Sequence, residues 1–140
     1  MRMQVKSLAV AAAAVGALAV AGAPASAATT AWQPTPTSNL TCGQGKQHPG
    51  GIGVSFTTCV RYEGGYAQAV LSVTSFGIVP SNIDSGEVKS TFGSNATCGT
   101  STVGPGVRRS CIGPKFPRKA PPTQLPTAKL VINGVERSYP

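Results

Sequence analysis

The sequence predicts one small all-β domain, a two-sheet antiparallel β-sandwich stapled by two disulfides. Three observations predict it. Two β-rich runs flank Gly64-Gly65, and pairing them across that turn gathers nearly all their apolar side chains on one face. The four cysteines make an even count, at spacings of 17, 39 and 13 residues. Beyond the leader no segment repeats its apolar residues at a helical period, whereas Gly and Pro punctuate the chain throughout.

Arg2 and Lys6 precede the apolar run SLAVAAAAVGALAVAG, and Ala25-Ser26-Ala27 supplies the small residues a signal peptidase needs. Residues 1–27 therefore read as a signal peptide cut after Ala27, with Ala25 as a secondary site. A membrane anchor is the rival reading, but the run is short and Ala-rich for a span. No cysteine at the cut offers a lipid acceptor. Removing 27 of 140 residues leaves 113, enough for one domain with a modest core. Of the 12 basic residues, 10 remain beside the four acids Glu63, Asp84, Glu87 and Glu136, so the net charge is +6. A thinly charged, Ser/Thr/Gly/Pro-rich, cysteine-bearing chain suits secretion into an oxidising, extracellular setting. No membrane span is expected in the mature chain.

Residues 28–40, ATTAWQPTPTSNL, form a Thr/Pro-rich lead-in, extended by Pro34 and Pro36. Trp32 is the one residue there expected to dock on the domain, which itself runs from 41 to 140. Thr41–Gly53, TCGQGKQHPGGIG, holds the single histidine. It lacks the Ser or Thr that would follow a phosphate-binding Gly-x-Gly-Lys, and no strand precedes it. His48-Pro49-Gly50-Gly51 spells a turn, and His48 is expected as a solvated loop residue. Cys42, Cys59, Cys98 and Cys111 can pair in three ways. Neighbour pairing, Cys42–Cys59 and Cys98–Cys111, closes the shortest loops and is the expected one. Zinc would want closer cysteine pairs or more histidines, so no metal and no cofactor is expected.

Across Gly64-Gly65 the register places Glu63 opposite Tyr66, Val60 opposite Ala69 and Phe56 opposite Val73. One face then holds Phe56, Thr58, Val60, Tyr62, Ala67, Ala69, Leu71 and Val73. The other holds Thr57, Cys59, Arg61, Gln68, Val70 and Ser72, and a one-residue slip would destroy the separation. Cys59 on the more polar face suits a bridge to a Cys42 loop outside the hairpin. Glu87–Phe92 alternates like a half-buried strand. Asn95-Ala96-Thr97 matches a glycosylation acceptor pattern. The stretch between Cys98 and Cys111, turning at Gly104-Pro105-Gly106, reads as a second hairpin or a broad loop. The proline-rich 113–126 admits neither helix nor inner strand. Asn133-Gly134 turns a last hairpin, with Ile132 opposite Val135 and Leu130 opposite Arg137. About six to eight short strands are expected.

The residue inventory points away from catalysis. A Ser–His–Asp triad would depend on His48 and Asp84, a glycosidase pair on two of four scattered carboxylates, and cysteine chemistry is blocked by oxidation. Non-catalytic binding is the expected class. Arg108, Arg109, Lys115, Arg118 and Lys119 crowd into twelve residues with no acid among them. They are the expected contact for an anionic cell-wall or other extracellular polymer, against the plainer reading of a solubility patch. The alternative partner is an extracellular protease, with Arg109 beside Cys111 in a disulfide-braced reactive loop. In size and two-bridge plan the chain is similar to the bacterial subtilisin-inhibitor family, but its cysteine spacings differ.

AQAVLSVTSFGIVPSNI and CGTSTVGPGVRRSCIGP together resemble the layout of small immunoglobulin-like accessory domains in exported bacterial proteins. The chain also looks like small secreted proteins of high-GC Gram-positive bacteria, with their Ala-rich leader and C-terminal hairpin. The resemblance implies an immunoglobulin-like sandwich and no particular activity, and it assigns no functional residue.

Overall fold

The computed structural model describes residues 29–140, so the expected signal peptide lies outside the described residues. Twelve strands form two antiparallel sheets, with no helix among the described residues. In chain order they are β1 (Gln33–Pro34), β2 (Leu40–Cys42), β3 (Lys46–Gln47), β4 (Val54–Glu63), β5 (Tyr66–Ser75) and β6 (Ser81–Lys89). Then follow β7 (Ala96–Cys98), β8 (Ser101–Val103), β9 (Arg108–Ile112), β10 (Phe116–Pro117), β11 (Thr127–Ile132) and β12 (Val135–Tyr139). Six of these reach five residues or more; the other six are two- or three-residue stitches along the sheet margins. The larger sheet runs β1-β9-β5-β4-β2, with β3 on β4 and β10 on β5; the smaller runs β12-β11-β6-β7, with β8 also on β6.

The β4–β5 hairpin has the register its sequence predicts, ten pairs from Val54↔Ser75 to Glu63↔Tyr66. Gly64 and Gly65 turn it with φ of 60° and 79°, values that cost a side chain dearly and glycine little. Its inner face buries Phe56, Val60, Ala69, Leu71 and Val73 against Ile83, Val88, Leu130 and Ile132 of the smaller sheet. The Asn133-Gly134 hairpin likewise pairs Leu130↔Arg137 and Ile132↔Val135.

Other elements depart from the sequence reading. The strand expected over Glu87–Phe92 begins six residues earlier, at Ser81, and ends at Lys89; Phe92 is buried from a loop. A bulge explains the lost alternation. Val131 pairs Ser85 while Ile132 pairs Ile83, so Asp84 and Ser85 stretch across a single step of β11. The shift in phase turns Ile83, Gly86 and Val88 all inward. The Cys98–Cys111 stretch is not a hairpin either. β8 lies in the smaller sheet and β9 in the larger, so the chain changes sheets at Gly104-Pro105-Gly106.

Both disulfides pair as expected and no described cysteine is free. Cys42–Cys59 joins register partners on β2 and β4, outside the core. Cys98–Cys111 joins β7 to β9, one sheet to the other, and both residues are fully buried. Two bridges over loops of this size add about 3 kcal/mol each. Such bridges place folding in an oxidising compartment. No helix among the described residues is long and apolar enough to cross a membrane.

The lead-in is stitched into both sheets. Thr30 N–H donates to Thr97 O at 2.7 Å, beside the smaller sheet, and β1 pairs with β9 of the larger. Between these anchors Trp32 packs on the core and donates Nε1–H to Gly99 O at 2.7 Å. From Pro34 the chain crosses to β2 on the opposite margin. On the way it bends at Ser38 and Asn39, where Asn39 takes a φ of 60°. It lies on the outer face, where Thr35 and Leu40 share a groove with Cys59, Ser72 and Thr74. The outward-facing Cys59 and Val70 are fully buried without belonging to the inner cluster.

A Cβ at Gly86 would lie 2.6 Å from Cζ2 and 2.7 Å from Cη2 of Trp32. Gly86→Ala should therefore expel the indole, lowering stability by about 1–3 kcal/mol. Because the chain has one tryptophan, its emission should shift to the red; an unshifted spectrum would refute the docking.

Candidate functional site

Residue parity on β9 decides where the predicted cations point. Cys111 pairs with Leu71 and faces the core, so Arg109, two residues earlier and opposite Val73, shares the inner face. Arg108 and Ser110 face outward. Arg108 donates Nε–H weakly to Thr74 Oγ1 at 3.4 Å, and the Ser110 hydroxyl is bonded to that of Thr35 at 2.7 Å. Arg109 is half-buried and its Nε finds no partner. Arg108 and Arg109 are thus strand residues and not, as the sequence suggested, part of a basic loop.

After β9 the chain continues up the same margin of β5. Gly113 N–H donates to Ala69 O at 2.8 Å, β10 pairs Phe116↔Ala67 and Pro117↔Tyr66, and Arg118 N–H donates to Gly65 O at 2.8 Å. Tyr62 Oη–H donates to Arg118 O at 2.9 Å, and the Arg118 guanidinium lies 5.9 Å from the Phe92 ring centroid. Ser94 supports this segment from below, accepting Ala69 N–H and donating to Pro114 O. Lys115, Arg118 and Lys119 are exposed on a margin pinned by backbone hydrogen bonds.

The five cations therefore do not converge. Arg108 lies opposite Thr74 and the 115–119 group near Tyr66, eight steps apart along β5. At ~3.4 Å per step that is about 27 Å. They form a line along one sheet margin. Arg61 extends it over the outer face, in a shallow depression shared with Gln33, Gln68 and Lys115, while also pairing with Glu63 at 3.0 Å.

The whole charge distribution follows the same division. The smaller sheet carries Lys89, Lys129 and Arg137 against Asp84, Glu87 and Glu136, and is neutral. The larger sheet with its flanking segments carries Lys46, Arg61, Arg108, Arg109, Lys115, Arg118 and Lys119 against Glu63 alone. The entire net charge of +6 in residues 29–140 resides on one of two layers.

The protease-contact reading asked for Arg109 on a protruding loop. Its backbone instead pairs with Val73 on one side and Pro34 on the other, and its side chain is half-buried.

His48 is the clearest correction. Expected in solvent, it is 2% exposed. Gly50 N–H donates to Nδ1 at 3.0 Å, so Nδ1 accepts and Nε2–H donates to Leu130 O at 2.8 Å. The ring thereby ties the β3–β4 turn to the smaller sheet, tilted against Phe56 with centroids 5.4 Å apart. Asp84, its imagined triad partner, accepts from Gly134 N–H at 2.7 Å. Among the described residues no three His, Cys, Asp or Glu side chains gather into a metal site. Comparison with protein-family models, with curated proteins and with solved structures finds no match.

His48→Ala should leave the Leu130 carbonyl buried without its donor and open a void beside Phe56, costing about 2–4 kcal/mol. Urea unfolding measures this; a midpoint equal to the native protein's would show that the ring is not a structural tie.

Proposed function

We propose that the chain is an exported, non-catalytic binding protein of immunoglobulin-like sandwich architecture whose ligand is a linear anionic polymer lying along the β9–β10 margin. The observation that carries this reading is the segregation of all net charge onto the larger sheet. Charge kept only for solubility has no reason to avoid one layer. The cations spread over about 27 Å, against a screening length of about 8 Å at physiological salt. A small anion would feel one end of the row, whereas a polymer strand meets both the outward-facing Arg108 and the 115–119 group. The leader-like N-terminus and the two disulfides support an extracellular setting, where cell-wall polyanions, acidic polysaccharides and free DNA are the available partners of this class. Few exposed aromatic rings interleave with the cations, which favours sequence-tolerant contact with charged groups over base stacking.

The test compares two triple variants of the oxidised mature protein on duplex DNA and on an acidic-polysaccharide column. Neutralising Lys115, Arg118 and Lys119 should lower the salt needed for elution and flatten the log–log salt dependence on DNA by about 2 to 3. Neutralising Lys89, Lys129 and Arg137 removes the same charge from the other layer and should change the slope far less. Equal behaviour of the two variants would reduce the row to a net-charge effect and end the proposal.

A further inference from the structure

The end of the sandwich opposite Gly64-Gly65 carries a second surface, independent of the 115–119 cations. Three segments meet there: the turn 48–53, the loop 76–80 and the turn 104–107. Phe76 N–H donates to Gly53 O at 2.7 Å, Ser75 N–H to Val107 O at 3.2 Å, and Gly106 N–H to Ser75 O at 2.9 Å. Four large apolar side chains stand out from this frame: Ile52 at 84% exposure, Phe76 at 76%, Ile78 at 90% and Val79 at 59%. One exposed apolar residue needs no explanation, but four on touching loops are a patch. The sequence reading passed over it, although FGIVP in a strand connection is the wrong composition for a solvated loop.

We propose that this tip is a docking site for the surface of an anionic phospholipid bilayer. The shape argues for lipid. Ile52, Ile78 and Val79 stand proud of the protein, and only Phe76 borders a groove, so each of the three would require its own pocket in a protein partner. A bilayer interface accepts them in any arrangement. The charge argues for anionic headgroups. Arg108, which follows directly on the 104–107 turn, faces outward and lines the same groove as Phe76. The three tip segments contain no acid. Asp84 adjoins the 48–53 turn through the Asn133–Gly134 turn, whose Asn133 Nδ2–H donates to Gly50 O, and its carboxylate is engaged by Gly134 N–H. Apolar insertion and headgroup attraction reinforce each other at such an interface.

Co-sedimentation with vesicles tests this, using equal parts phosphatidylglycerol and phosphatidylcholine, and phosphatidylcholine alone. The native oxidised protein should pellet with the mixed vesicles and much less with the neutral ones. Phe76→Glu and Ile78→Glu should each lower partitioning about tenfold or more, with circular dichroism unchanged because neither side chain is in the core. Ile78→Ser, which adds no charge, should also lower partitioning while keeping native retention on duplex DNA, so failure here is distinct from failure of the polymer reading. Native protein left in the supernatant would overturn the proposal, as would Ile78→Glu pelleting like native. Sedimentation velocity showing a dimer that Ile78→Glu dissolves, without vesicle binding, would assign the tip to self-association and equally overturn it.

Discussion

Everything in this fold hangs on the pairing of β4 with β5. The two strands form a ten-step ladder closed by a turn that only glycine occupies cheaply. Because side chains alternate strictly, that one register fixes which residues face the smaller sheet and which face outward. Val60, Leu71 and Val73 are committed to the core; Cys59 and Val70 are committed to the opposite side. The Cys42–Cys59 bridge can then close only outside the core, leaving Cys98–Cys111 as the covalent tie between layers. β5, paired on both sides, transmits its register to β9, and so decides that Arg108 looks out and Arg109 looks in.

The two flanks of the sandwich are closed by different chemistry. On the β9 side a disulfide and an indole bonded to Gly99 O span the gap. On the β3 side there is no covalent tie. A neutral imidazole accepting from its own turn and donating to Leu130 holds the layers together, with Phe56 and Tyr139 stacked edgewise beside it. The single histidine therefore has a structural task that uses both nitrogens, which leaves neither free for proton transfer in this arrangement.

The hairpins and the disulfides were legible in the sequence because each rests on local information. Gly64-Gly65 and Asn133-Gly134 are dipeptides with one favoured geometry, and loop closure favours neighbouring cysteines. What was not legible depends on distant residues. His48 looks like a turn residue because Pro49 and Gly50 surround it; its burial is decided by Leu130, 82 positions away. β6 was misplaced because the Asp84–Ser85 bulge breaks the alternation that marks a strand. The candidate site was half visible: the cations were countable, but their order along a margin, and the neutrality of the other layer, exist only once β10 is laid on β5.

The outer crossing from Pro34 to Leu40 has a consequence for how the molecule comes into being. β1 is seated against Ser110 and Arg109, residues from the last quarter of the chain. A polypeptide made from its amino end must hold this segment in waiting until the berth exists. Two prolines, with no N–H to offer a premature neighbour, make it a safe segment to leave idle. β1 is thus an early segment that can settle only late, against a strand from the far end of the domain.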